Sequence, residues 1–166
     1  DRGRVSQLSI CLLGSFDVRL AGQPVTNFSS NKTRALLTYL AVEAEHSHQR
    51  VRLADLFWPD WPEKTARTYL RQSLANLRHI LPDSPTSPPY FLPDRQSVRF
   101  NPACDHRLDL VDLSQALSGA AIHPLQTADA GWLTDLERAA DAYRGDFLAG
   151  FFLDGCPGFE ECQLLM

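Results

Sequence analysis

The chain has 166 residues, 44% hydrophobic and 22% charged, with a net charge of −4. That composition is ordinary for a soluble globular protein with one ample core or two small ones, and no run reaches the ~18 apolar residues of a membrane span. The charge is uneven: residues 1–101 carry thirteen Lys/Arg against nine Asp/Glu, and residues 102–166 carry three against eleven, the pattern of a basic working surface joined to an acidic neighbour.

The start, Asp1-Arg2-Gly3-Arg4, carries neither an apolar signal-peptide core nor an initiator Met, as expected of a fragment. Cys11, Cys104, Cys156 and Cys162 lie far apart without a CxxC pair, which argues against zinc-ligand spacing and a disulfide framework and for a reducing cytoplasm.

Residues 7–27 read as a small antiparallel sheet. Leu8 to Leu12 and Phe16 to Leu20 alternate in polarity, Gly14 allows a turn, Ala21-Gly22-Gln23 signals a tight hairpin, and Pro24-Val25 opens a short edge strand. Ser29-Ser30-Asn31 offers N-caps for a helix over 31–43, with Ala35, Leu36, Tyr39 and Leu40 on its apolar face. The polar stretch Glu43 to Gln49 ends it. A short second helix buries Leu53, Leu56 and Phe57 and stops before Pro59.

Pro62 suits the first turn of a third helix, with Glu63 at its positive end. From there to Leu81, the spacing of Ala66, Leu70, Leu74, Leu77 and Leu81 follows a 3.6-residue rhythm. The opposite face collects Lys64, Thr68, Arg71, Gln72 and Ala75, with Arg67 and Arg78 on one flank, and no acid occurs from Lys64 through Pro82. A Pro/Ser loop follows. Tyr90-Phe91-Leu92, the turn Pro93-Asp94-Arg95-Gln96, and Ser97 to Phe100 then make a hairpin. Helices are expected over Asp109–Leu117, over Asp129–Tyr143 (Trp132, Leu133, Leu136, Ala139, Ala140 and Tyr143 inward), and from Pro157 to Leu165.

Strands, three helices and a terminal hairpin, in that order, form the winged helix-turn-helix plan, whose third helix can enter the major groove while the hairpin flanks it as a wing. The fold class expected is therefore α+β: a winged helix over 1–104, then an all-α segment over 105–166. Arg67, Arg71 and Arg78 can pair with phosphates or fork onto guanine. Gln72 can bridge an adenine edge, Thr68 can meet a base or a thymine methyl, and Lys64 suits a phosphate. Arg95 and Gln96 stand at the wing tip. These eight residues are the candidate contacts to double-stranded DNA.

Other groups read as structural. His46 and His48 lack a Cys or clear carboxylate partner for a metal. Trp58 and Trp61 flank a turn as packing residues, and Asp105, Asp109 and Asp112 suit helix capping and solvation. There is no phosphate-cradling glycine loop, GxSxG or HExxH, so neither catalysis nor a cofactor or metal is expected.

The stretches LLGSFDVRLAGQPV, LFWPD and YRGDFLAGF, in this order, resemble the Streptomyces antibiotic regulatory protein (SARP) family. The last of them resembles the opening of its bacterial transcriptional activator domain. The resemblance implies an OmpR-type winged helix that binds direct-repeat DNA and recruits RNA polymerase, followed by tetratricopeptide-like helices that mediate dimerisation or regulation. It places the recognition helix at Pro62–Leu81, and it implies a cytoplasmic, nucleoid-associated protein longer than this chain. Tyr69 departs from the family, which commonly carries a small polar residue there. The competing function is a winged-helix protein-interaction adaptor that binds no DNA and docks partners through its acidic part.

Overall fold

In the computed structural model, residues 7–122 and 130–165 are described. In chain order the elements are β1 (Leu8–Cys11), β2 (Asp17–Leu20), β3 (Gln23–Pro24), α1 (Asn31–Val42), β4 (His48–Gln49), α2 (Arg50–Phe57), α3 (Glu63–Ile80), β5 (Phe91–Pro93), β6 (Ser97–Phe100), β7 (His106–Leu108), α4 (Asp109–Ile122), α5 (Ala130–Ala142) and α6 (Pro157–Leu165). The fold is mixed α+β, with two small sheets and six helices among the described residues. Asp129 lies outside the described residues, as does the side chain of Trp132.

The chain divides into two compact units that do not follow sequence order. One joins the strands up to Pro24 to His106–Phe151. The other joins Val25–Asp105 to the segment from Phe152 onward, so α6 belongs with α1–α3.

The first unit is built on a sheet of order β3-β2-β1-β7. β1 pairs antiparallel with β2 (Ile10↔Val18) and parallel with β7 (Ile10↔Leu108). Alternation places Leu8, Ile10, Val18 and Leu108, all buried, on one face. Ala21 and Gly22 between β2 and β3 both have positive φ (49° and 81°), as a two-residue type I′ hairpin turn requires. Asp109 opens α4 with a buried carboxylate. Its Oδ2 accepts the backbone N–H groups of Leu12 and Leu13, both at 2.8 Å. Gly14 sits at φ 97°, where an added Cβ would lie 3.0 Å from Cβ of Arg144. Glycine is thus needed for conformation and for space. On α5 only part of the expected inner side is covered: Ala139 is buried, whereas Leu133, and Tyr143 just past the helix end, are half exposed.

The second unit packs α1, α2 and α3 around Leu36, Leu37, Leu40, Leu53, Phe57, Leu70 and Leu77, with Phe100 from β6 fully buried as well. Ser30 caps α1, its Oγ accepting from Thr33 N at 3.2 Å. The second sheet has order β4-β6-β5, so the hairpin expected over 90–100 forms and gains a third strand that its sequence neighbours do not announce. α6 lies on α2: the Cys156 thiol donates to Phe57 O at 3.1 Å, and the rings of Phe57 and Phe159 stand 5.6 Å apart.

Candidate nucleic-acid interface

α3 owes its two faces to the spacing of its apolar residues. Ala66, Leu70, Ser73, Leu74 and Leu77 are buried, and Leu81, just past its end, is fully buried. Lys64, Arg67, Arg71, Gln72, Ala75 and Arg78 are exposed. The buried side is fixed by polar contacts as well as packing. Thr33 Oγ1 of α1 donates to Ser73 Oγ at 3.2 Å, and Asn76 holds the loop before α1 by accepting from Ser29 N and donating to Asn27 O.

Beside the exposed side lies a cleft of about 550 Å³, bounded by the start of α2, by Arg67 and Arg71 of α3, and by Arg95 and Gln96 of the hairpin turn. A smaller hollow of about 150 Å³ shares Arg50 and Arg71 with it and reaches Arg78. Five arginines line the two hollows, and no acidic residue does. Of the eight sequence-derived candidates, Arg67, Arg71, Arg78, Arg95 and Gln96 are therefore brought together. Lys64 and Gln72 are exposed on α3 but do not line the hollows. Thr68 is half-buried and donates its hydroxyl to Lys64 O at 3.0 Å, which leaves that oxygen only as an acceptor.

The cations differ in what they already hold. Arg67 pairs with Glu63 at 2.7 Å, one turn earlier on α3. Glu63 lies one residue before the acid-free stretch and reaches into it. Among the described residues, the side chains of Arg71, Arg78 and Arg95 have no ion pair or hydrogen bond within the protein. Lys32 faces inward, donating to Phe57 O at 2.7 Å with its ammonium 5.5 Å from the Trp58 ring centroid. Tyr69 belongs to an aromatic cluster at the α2–α3 turn, 5.3 Å from Trp61 in an edge-on arrangement and 6.2 Å from Trp58. The two tryptophans thus pack against Tyr69.

The hairpin is held in place by its neighbours. β4 pairs with β6 (His48↔Val98, Gln49↔Ser97), and the Phe91 and Phe100 rings stack edge-on at 5.8 Å. Arg50 N donates to Gln96 O at 2.8 Å, and Arg50 Nε donates to Asp94 O at 3.2 Å. Arg50 is the site residue that sequence reasoning missed. One signal pointed to it: α2 opens with Arg50 and Arg52 and has no acid in its first turn, an unfavourable placement of cations beside the positive end of a helix.

The remaining polar groups have structural partners. His46 Nδ1 lies 3.3 Å from Glu43 Oε2, and His48 lies in β4 against the Tyr39 ring. Among the described residues no group of three or more His, Cys, Asp or Glu gathers as for a metal ion. Burial pushes the Cys104 thiol up to about 12. No described helix is long and apolar enough to cross a membrane.

No protein-family model matches the chain, and no curated protein matches it. Among solved structures it is similar to EmbR of Mycobacterium tuberculosis in complex with a low-affinity phosphopeptide, with a TM-score of 0.69 and 20% sequence identity. The match covers 96% of this chain and 41% of the EmbR chain, so the chain spans less than half of EmbR's length. At that identity the likeness is one of fold: the chain has an α+β fold like that of the matching part of EmbR.

Proposed function

We propose that this chain is the DNA-binding part of a transcriptional regulator of the SARP type, with α2 and α3 as its helix-turn-helix, α3 as the recognition helix and the β5–β6 hairpin as the wing. The observation that carries the reading is the arginine-lined cleft between α3 and the hairpin turn, which contains no acidic residue. An isolated basic helix face is usually just solvated. Here it is the exposed side of the third helix, and a hairpin carries a further arginine to its flank. The similarity to EmbR supports the same reading at the level of fold.

In this reading Arg67, Arg71 and Arg78 contact phosphates or guanine edges, Gln72 and Thr68 face base edges, Lys64 takes a phosphate, and Arg95 and Gln96 follow the neighbouring backbone or minor groove. Phosphate contacts supply most of the affinity and base contacts supply selection. A direct-repeat operator, pairing of two copies on it, and recruitment of RNA polymerase belong to the same proposal, as does the reading of α4 and α5 as the start of tetratricopeptide-like helices. No catalytic step, metal or cofactor enters it.

The test is selection from random duplexes followed by titration at rising salt. Phosphate contacts from three to five of Lys64, Arg67, Arg71, Arg78 and Arg95 imply a log–log slope of affinity against salt of about −3 to −4.5. Enrichment of a short repeated element with such a slope is the expected outcome. Failure to bind any duplex at low salt would favour the adaptor reading instead.

A further inference from the structure

We infer that Arg50 is the positioning residue of this interface: it fixes the hairpin turn against the start of α2 and so sets where Arg95 stands relative to Arg71. The inference rests on the DNA-binding reading and adds to it a residue that contributes by holding another in place.

Two hydrogen bonds carry the argument. The turn Asp94-Arg95-Gln96 has its two flanking carbonyls taken by one residue, Gln96 O by the backbone N–H of Arg50 and Asp94 O by its Nε–H. Within the hairpin, the turn is closed by Asp94 N donating to Ser97 O at 2.8 Å. That bond fixes the turn's shape but not its position relative to the helices. A two-stranded hairpin is marginal without outside support, and β4, only two residues long, supplies little ladder beyond Gln49. Arg50 continues that support from the first residue of α2 onto the turn. It also lines both hollows together with Arg71, so the side chain that anchors the turn stands beside the central cation of α3. A bond made through Nε leaves the terminal nitrogens of the guanidinium fork for other partners.

The placement also accounts for a local conflict. An arginine at the start of α2 opposes the helix dipole, a cost of the kind found where a residue serves the site rather than its own helix.

The experiment is a double-mutant cycle of Arg50→Met and Arg95→Ala, read as affinity for the duplex enriched by wild-type protein, with amide hydrogen exchange of each free protein. Arg50→Met should weaken binding on the order of tenfold. In the Arg95→Ala background it should cost at least about threefold less, because the contact it positions is already gone. Exchange at the Asp94 amide, which closes the turn onto Ser97 O, should quicken in free Arg50→Met. Arg50→Lys, which keeps the charge and loses the planar Nε donor, serves as the second variant should Arg50→Met fail to fold. Additive losses with unchanged exchange would overturn the inference and leave the DNA-binding reading standing. A wild-type protein that binds no duplex would overturn both.

Discussion

Replacing Glu63 with glutamine should tighten DNA binding while slightly weakening the fold. In the free protein Glu63 holds Arg67 at 2.7 Å, with both side chains more than half exposed (64% and 53%). An exposed pair at this i,i+4 spacing is worth only about 0.3–0.5 kcal/mol, which Arg67 gives up when it turns to a phosphate. The carboxylate also repels the duplex. At a separation of roughly 7 Å in water, one charge against one phosphate costs about 0.6 kcal/mol, cut to about 0.3 by physiological salt. Glu63→Gln removes both terms, so affinity should rise by about 0.6–0.8 kcal/mol, or roughly threefold. The fold loses the pair and an acid in the first turn of α3, together about 0.6–1 kcal/mol. Fluorescence anisotropy with the enriched duplex at 100 and 300 mM salt, beside a urea melt, reads both quantities. The gain should shrink at the higher salt. Unchanged or weakened affinity in a folded variant would refute the claim that Arg67 leaves Glu63 to meet DNA.

Other predictions concern the scaffold. Thr33→Val removes the hydroxyl that donates to buried Ser73 and should cost about 1–3 kcal/mol in a urea melt; Ser73→Ala should cost less, because Thr33 keeps Ser29 and Ser30 within reach. Asp109→Ala strands the amides of Leu12 and Leu13 and should destabilise by at least about 3 kcal/mol in the same assay, whereas Asp112→Ala, which loses the pair with exposed Arg107 and an acid in the first turn of α4, should stay within about 1 kcal/mol. Cys104, whose thiol burial pushes up to about 12 from 9.0, should resist alkylation in the native protein at pH 9 while the denatured chain reacts. Because the folded value is the raised one, this thiol's contribution to stability is intact below pH 9 and is lost as pH climbs from 9 toward 12. Rapid native labelling at pH 9 would contradict the burial.

The parts of the fold that the sequence made legible are those whose signal is local. α3 could be read because Ala66, Leu70, Leu74 and Leu77 repeat at the helical period, and burial follows that spacing. Its opposite face therefore presented Arg67, Arg71 and Arg78 together. β7 carried no such signal: three residues, His106-Arg107-Leu108, become a strand because they pair parallel with β1 nearly a hundred positions earlier. β4 is two residues long and cannot display an alternation, so the stretch that seats the hairpin read as a polar loop, and Arg50 was lost with it. The inner side expected for α5 failed differently, since periodicity marks a face as apolar without saying what covers it, and Leu133 is left half exposed. The pairing of Arg67 with Glu63 crosses the edge of the acid-free stretch, which begins at Lys64, and depends on a side-chain rotamer that spacing does not specify.

The most direct test of the central claim is methylation interference on the enriched duplex, with wild-type protein beside Arg71→Ala. A helix in the major groove predicts that methylation of guanine N7, a major-groove acceptor, blocks wild-type binding at one or more positions. Arg71→Ala, whose loss should cost about 1–3 kcal/mol, should become insensitive at one of them. Wild-type binding that ignores N7 methylation throughout the site would contradict the placement of α3.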